Sequence, residues 1–89
     1  MVYSLYLEKQ VTKFLSKLDK NTSKRIFDKI ENLTKDSIPS EAKRIVNIND
    51  KVFRIRVGTY RILYRIEKEK IVVVFLIDKR SKVYNKINS

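Results

Sequence analysis

An alternation of apolar and arginine residues on both sides of one tight turn restricts the fold of this chain more than any other feature. Residues 51–66 read KVFRIRVGTYRILYRI, with Gly58-Thr59 at the centre. Alternate side chains of a strand lie on opposite faces of a sheet, and glycine suits a tight turn. We therefore predict a strand pair with one apolar face and one arginine face. The predicted arginine face carries Arg54, Arg56, Arg61 and Arg65.

The flanking segments predict further strands. Residues 2–7 (VYSLYL) are rich in strand formers, and residues 42–48 (AKRIVNI) have the character of an edge segment. Residues 71–77 (IVVVFLI) form a continuous apolar run, which is typical of a central strand covered on both faces. The predicted core face of the strand pair consists of Phe53, Ile55, Tyr60, Ile62 and Tyr64.

Between the first strand and Pro39 the apolar residues no longer recur at every second position and instead recur with the spacing of a helix. One helix is predicted from Glu8 to about Asp19, and Asn21 or Thr22 is a plausible N-cap for a second. The order is then β-α-α-β-β-β. We predict an α+β fold in which the helical hairpin packs on one face of a mainly antiparallel sheet.

Length and composition limit the possible chemistry. The 89 residues suit a single domain, residues 1–89. There is no cysteine, which excludes a thiolate nucleophile, and no histidine, which is the commonest metal ligand and acid–base group. No cofactor is predicted. The N-terminus lacks the pattern of a signal peptide and the longest apolar run is too short to cross a bilayer. We expect a cytoplasmic protein without a membrane partner.

The positive charge is large and lies mainly in the second half of the chain. The formal net charge is +11, and residues 51–89 hold 11 Lys or Arg against 3 Asp or Glu. Such a surface attracts polyanions, which makes nucleic acid or an acidic protein the leading partner. A solvated sheet face is the ordinary explanation of alternating arginines. The preference for arginine over lysine here favours phosphate binding instead, because the planar guanidinium makes bidentate contacts with phosphate.

Cleavage of RNA by its own 2′-hydroxyl would suit such a face. Arginines can stabilise the charge on the pentacoordinate phosphate, but a pKa above roughly 12 makes them poor acids and bases. Tyr84 is the remaining candidate for proton transfer, and it could also stack on a base; the ordinary alternative is an aromatic side chain packed on the sheet edge. Lysines with cationic neighbours are reserve candidates, and with Arg65 they are predicted to contact RNA. These lysines are Lys51, Lys79 and Lys82.

The stretch FRIRVGTYRILYRI followed by KRSKVY resembles the RelE/ParE superfamily of toxins, and within it the RelE branch of mRNA interferases. The resemblance spans nearly the whole chain. It implies a type II toxin that enters the ribosomal A site and cleaves mRNA there without a metal ion. It also implies an acidic, RelB-like antitoxin as partner. The catalytic residues that it implies are Arg54, Arg56, Arg61, Arg80 and Tyr84.

Two alternatives remain open at the level of the sequence. One is a ParE-like toxin that inhibits DNA gyrase, and the other is a protein that binds RNA or the ribosome without cutting. On the preferred interpretation, Arg61→Ala or Tyr84→Phe should relieve growth arrest and leave the fold intact.

Overall fold

The computed structural model of the chain describes residues 3–45, 51–68 and 70–79. Within these ranges a strand is followed by two helices and four further strands. In chain order they are β1 (Ser4–Leu7), α1 (Lys9–Ser16), α2 (Lys20–Asn32), β2 (Lys43–Arg44), β3 (Val52–Val57), β4 (Tyr60–Glu67) and β5 (Ile71–Lys79). The predicted α+β fold is confirmed, and the order has one strand more than β-α-α-β-β-β because the edge-like segment contributes the short strand β2.

The five strands form one mixed sheet in the order β1-β5-β4-β3-β2. Strand β1 pairs with β5 in parallel, and the other three pairings are antiparallel, as predicted for most of the sheet. Strand β5 lies between β1 and β4, so the interior position predicted from its apolar run is confirmed. Strand β2 pairs only beside Phe53 and Arg54, which leaves the rest of β3 at the edge of the sheet.

The second helix begins earlier than the sequence suggested. Asp19 has extended backbone angles, and its side chain accepts a hydrogen bond of 3.0 Å from the backbone N–H of Thr22. Asp19 is therefore the N-cap, and the expectation of Asn21 or Thr22 in that position is wrong. The hydrogen bonds from Thr22 lower the pKa of Asp19. An ionised carboxylate at a helix N-terminus satisfies a free N–H and interacts favourably with the helix dipole.

The main core lies between the helices and one face of the sheet. Buried side chains of both helices meet the predicted apolar face, where Ile55, Ile62 and Tyr64 are fully buried. Tyr60 is half-buried against the same core, in edge-to-face contact with Phe14 at 5.8 Å between ring centroids. The core face predicted from strand periodicity is confirmed, because the helices cover the whole of that apolar stripe.

The buried hydroxyl of Tyr64 ties the sheet to the loop after α2. It donates a hydrogen bond of 2.7 Å to the backbone carbonyl of Ser37. We expect Tyr64→Phe to lower the free energy of unfolding by about 1–2 kcal/mol, because that carbonyl loses its donor. Urea denaturation measures the change. The matched control is Tyr60→Phe, whose hydroxyl has no hydrogen bond to a described residue, and which should cost less than about 0.5 kcal/mol.

The natural chain and Tyr64→Phe should also differ in how their free energy of unfolding changes in alkaline solution. Burial raises the pKa of Tyr64 above its usual 10.0, with smaller contributions from Asp36 and Glu41. Above pH 10.0 the unfolded chain releases the phenol proton while the folded chain keeps it, so the free energy of unfolding of the natural chain falls. Tyr64→Phe lacks this contribution. If the difference in free energy of unfolding between the natural chain and Tyr64→Phe stays constant as pH rises above 10.0, the raised pKa of Tyr64 is contradicted.

No helix in the described part of the chain combines the length and the apolar character needed to cross a membrane.

Candidate functional site

The predicted arginine side chains lie on the sheet face turned away from the helices. The register places Arg56 directly beside Arg61, and Arg54 between Lys43 and Leu63. This face is not uniformly charged, because a small apolar cluster around Val52 and Leu63 occupies its middle. Partly buried side chains that complete this cluster are Ile45, Phe75 and Leu76. The pairing of β4 with β5 has a bulge opposite Leu63 and Tyr64. This bulge brings Phe75 and Leu76, which are consecutive in β5, onto the same side of the sheet.

An open depression lies where β2 ends beside β3, and we call it the β3 cleft. Its volume is about 470 Å³, and it is lined by Glu41, Lys43, Arg54, Arg56 and Gly58. Since β2 is only two residues long and pairs with Phe53 and Arg54, Arg56 lies beyond its end and is exposed to solvent. The β3 cleft therefore joins three cations from two neighbouring strands around one space, as a phosphate site requires.

The positive charge of the β3 cleft is only partly balanced by protein. Arg56 and Lys43 are exposed, and neither forms an ion pair with any residue in the described ranges. Glu41 is the single carboxylate of the lining, and its short ion pair with Lys29 lowers its pKa. Because Lys29 already matches the charge of Glu41, the cleft presents a positive potential to solvent.

Arg61 lies in a different environment from the one predicted. Its side chain is only 4% exposed, and the sheet register places it opposite Asp78, which is 8% exposed. This burial argues against the expectation that Arg61→Ala leaves the fold intact, and we expect the substitution to destabilise the protein. Its cross-strand neighbours on this face are Arg56 on β3 and Asp78 on β5.

Arg65 is already neutralised by protein carboxylates. Its guanidinium lies 2.7 Å from Glu67 and 3.3 Å from Glu8, and 5.6 Å from the centroid of the Phe75 ring. Hydrogen bonds to Glu67 and then to Glu8 raise the pKa of Arg65. Arg65 comes four positions after Arg61 on β4, a distance of about 13 Å along the strand. Protein carboxylates therefore balance the charge of the arginine face at Arg65, and the contact of Arg65 with RNA stays a prediction.

The remaining predicted site residues lie at the ends of strands or outside the described ranges. Lys51 is exposed immediately before β3, near Arg65 and away from the β3 cleft. Lys79 is exposed at the end of β5 beside Tyr60, which is the end of the sheet that carries the Gly58 turn. The predicted residues outside the described ranges are Arg80, Lys82 and Tyr84.

Two basic residues near the β3 strand were not predicted from the sequence. Lys43 lies in the edge segment, and its pairing with Arg54 follows once that segment is placed next to β3. Arg25 lies on α2, and its Nη2 is 4.0 Å from the position that a Cβ would take on Gly58. The edge-strand character of residues 42–48 was the sequence signal that could have placed Lys43 beside β3. Nothing in the sequence pattern links Arg25 to a turn 33 residues later.

Comparison with known proteins agrees with this fold. The family model described as the ParE toxin of the type II toxin–antitoxin system parDE matches residues 5–84. A candidate toxin of Methanocaldococcus jannaschii, RelE1, is 29% identical over 87 residues, which is 94% of this chain and 97% of that protein.

Solved structures of high similarity include two toxin–antitoxin complexes. The archaeal RelE-RelB complex of Pyrococcus horikoshii OT3 matches with a TM-score of 0.80 and 26% identity, over 92% of this chain and 99% of that one. The RelBE2 complex of Mycobacterium tuberculosis matches with a TM-score of 0.76 and 26% identity, over 90% of this chain and 100% of that one. The chain therefore belongs to the ParE toxin family of the RelE/ParE superfamily and is a toxin of a type II toxin–antitoxin system.

Proposed function

We propose that this toxin is a ribosome-dependent mRNA endonuclease of the RelE type, acting in the cytoplasm. The observation that carries the proposal is the β3 cleft, where Lys43, Arg54 and Arg56 surround one solvent-filled space with no ion pair to Arg56 among the described residues. A cleft of this charge suits the phosphate of a polynucleotide. The named relatives are RelE proteins, which favours RNA as the polynucleotide.

The proposed reaction takes its nucleophile from the substrate and needs no cofactor or metal ion. The 2′-oxygen loses its proton and bonds to the adjacent phosphorus, and the bond from phosphorus to the 5′-oxygen breaks as that oxygen gains a proton. The products are a 2′,3′-cyclic phosphate and a free 5′-hydroxyl. Charge builds on the phosphoryl oxygens in the transition state, and preorganised cations lower its energy.

Within this reaction each residue has a proposed role. Arg54 and Arg56 stabilise the phosphoryl oxygens from the β3 cleft, and Lys43 positions the RNA strand. Arg61 lies beside Arg56 in the register and opposite Asp78, and it is a further arginine that the resemblance assigns to catalysis. Arg80 as a further cation and Tyr84 as the proton-transfer group remain predictions from the resemblance. The ribosome supplies the orientation of the mRNA.

We also propose an antitoxin partner. Two of the similar structures are complexes of RelE with RelB or of RelBE2, and a RelB-like protein with an acidic segment is the corresponding partner here. An acidic segment that covers the β3 cleft would neutralise Arg56 and prevent the approach of mRNA. Inhibition by charge competition should weaken at high salt.

Primer extension on a defined mRNA in a translating extract tests the proposed function. With purified protein we expect new 5′ ends within codons, and these should vanish when initiation is blocked, because the ribosome orients the substrate. The control is the same mRNA without ribosomes, on which cleavage should be at least about a hundredfold slower. Rapid cleavage of free RNA would contradict the ribosome dependence, and no cleavage by folded protein would contradict the endonuclease.

Inhibition of DNA gyrase is the second candidate function. The observation that favours it is the description of the matched family, which is that of the ParE toxin. A supercoiling assay separates the two candidates, since an mRNA endonuclease leaves gyrase activity unchanged. Loss of supercoiling without mRNA cleavage would establish the ParE-like function in its place.

A further inference from the structure

A second cavity adjoins the β3 cleft around the edge of the sheet, and we call it the α2 cleft. It has a volume of about 430 Å³ and lies between α2 and the turn that joins β3 to β4. Arg56 and Gly58 line both cavities. A ligand that extends past Arg56 can therefore contact both clefts, and we call the space beside Arg56 and Gly58 the passage between them.

The turn at Gly58 keeps this passage open. Gly58 has a φ of 59°, a left-handed conformation that favours glycine, and it carries no side chain. The nearest atom to a Cβ built there is the Nη2 of Arg25, at 4.0 Å. The guanidinium of Arg25 thus lies close to the backbone of the turn, on the α2 side of the passage.

Arg25 is available to an external anion. It is exposed, and across the described ranges it forms no ion pair. Two other charged side chains of α2 line the cleft. Lys29 is committed to its ion pair with Glu41, and Asp28 is an exposed carboxylate that opposes anion binding. The two arginines, Arg25 and Arg56, outweigh this single opposing charge.

We infer that the α2 cleft binds an RNA phosphate that flanks the phosphate held in the β3 cleft, with Arg25 as its principal ligand and Arg56 shared between the two. The inference rests on the proposed function for the choice of RNA. A small anion would fill only one cavity, whereas a polynucleotide presents a phosphate at each nucleotide and can occupy both. Arg25 thereby extends the RNA path from the sheet onto α2.

The test measures the salt dependence of binding to a short single-stranded RNA. A 2′-O-methyl oligonucleotide cannot cleave itself, so fluorescence anisotropy reports binding alone. Removing one cation that binds a phosphate should reduce the slope of log K against log salt by about 0.7 for a single strand. We expect Arg25→Ala to show this reduction and to bind several-fold more weakly at about 0.1 M salt. Arg25→Lys, which retains the charge, should recover most of the slope.

Asp28→Asn provides a variant with the opposite expected sign. It keeps the size of the side chain and removes the opposing carboxylate, so binding should tighten about two- to threefold. Lys13→Ala is the control for loss of one positive charge, because Lys13 lies on α1 and lines neither cleft. Its slope and affinity should match those of the natural chain. Circular dichroism melting of each variant shows that the fold is retained.

Several outcomes would overturn the inference. An unchanged slope in folded Arg25→Ala would do so, as would the absence of measurable RNA binding by the natural chain. A loss of affinity for a polyglutamate peptide but not for RNA would assign the cleft to an acidic protein instead. The proposed function fails separately: if the natural chain does not cut mRNA on ribosomes but the slope still falls in Arg25→Ala, the phosphate site stands and the endonuclease does not.

Discussion

Replacing Arg54 and Arg56 together with alanine is expected to abolish growth arrest and to slow mRNA cleavage by at least about a hundredfold. Both side chains line the β3 cleft, and Arg56 is exposed with no ion pair among the residues described, so little of its charge is used for folding. Loss of both removes the preorganised positive charge that the transition state requires. The rate of appearance of new 5′ ends in a translating extract measures the effect.

A control of equal charge separates site chemistry from general electrostatics. Lys13→Ala with Lys17→Ala removes two positive charges from α1 and its C-cap, on the helical side of the sheet, where both side chains are exposed. We expect this variant to retain its cleavage rate within about threefold. The conservative double change of Arg54 and Arg56 to lysine keeps the charge and should retain part of the activity. Undiminished toxicity of the folded double alanine variant would refute the role of the cleft.

Arg61→Ala is expected to lower the free energy of unfolding by about 3–5 kcal/mol, a large share of the roughly 5–15 kcal/mol typical of a small domain. Arg61 and Asp78 are both buried and face each other across β4 and β5. Removal of the guanidinium takes away the opposing charge from the poorly solvated carboxylate of Asp78, which also accepts a hydrogen bond of 2.8 Å from the backbone N–H of Lys79. Urea denaturation gives the loss directly.

A double-mutant cycle shows whether the two charges are coupled. We expect Asp78→Ala to destabilise the protein as well, and the double variant to lose less than the sum of the two single losses, because it buries neither charge alone. Strict additivity would mean that Arg61 and Asp78 contribute independently. Loss of toxicity in Arg61→Ala cannot by itself identify a catalytic residue, since unfolding produces the same phenotype.

Most of the fold could be predicted because it depends on local patterns. The alternation in residues 51–66 predicts β3 and β4 with the correct core face, and the apolar run of β5 predicts its interior position. These signals are strong because burial of one face selects a strand register to the residue. Helix termini were less predictable. Asp19, Asn21 and Thr22 are all good N-caps, and the geometry of the connection to α1 selects among them.

The candidate site was only partly predictable. Charge alternation indicates which residues share a face, but it does not show which of them have partners. Glu8 precedes Arg65 by 57 residues, and their contact depends on the pairing of β1 with β5. The same is true of Arg25 and Gly58, which approach each other only after α2 packs on the sheet.

The sequence by itself determined that this chain forms an α+β sheet with arginines on one face, because side-chain periodicity and hydrophobic burial act over a few neighbouring residues. The tertiary structure decided how the four arginines differ. It buries Arg61 opposite Asp78, neutralises Arg65 with two carboxylates, and leaves Arg56 open at the edge of the sheet beyond β2. Coulomb interactions depend on distance in space and on local dielectric, and both are set only when distant segments meet.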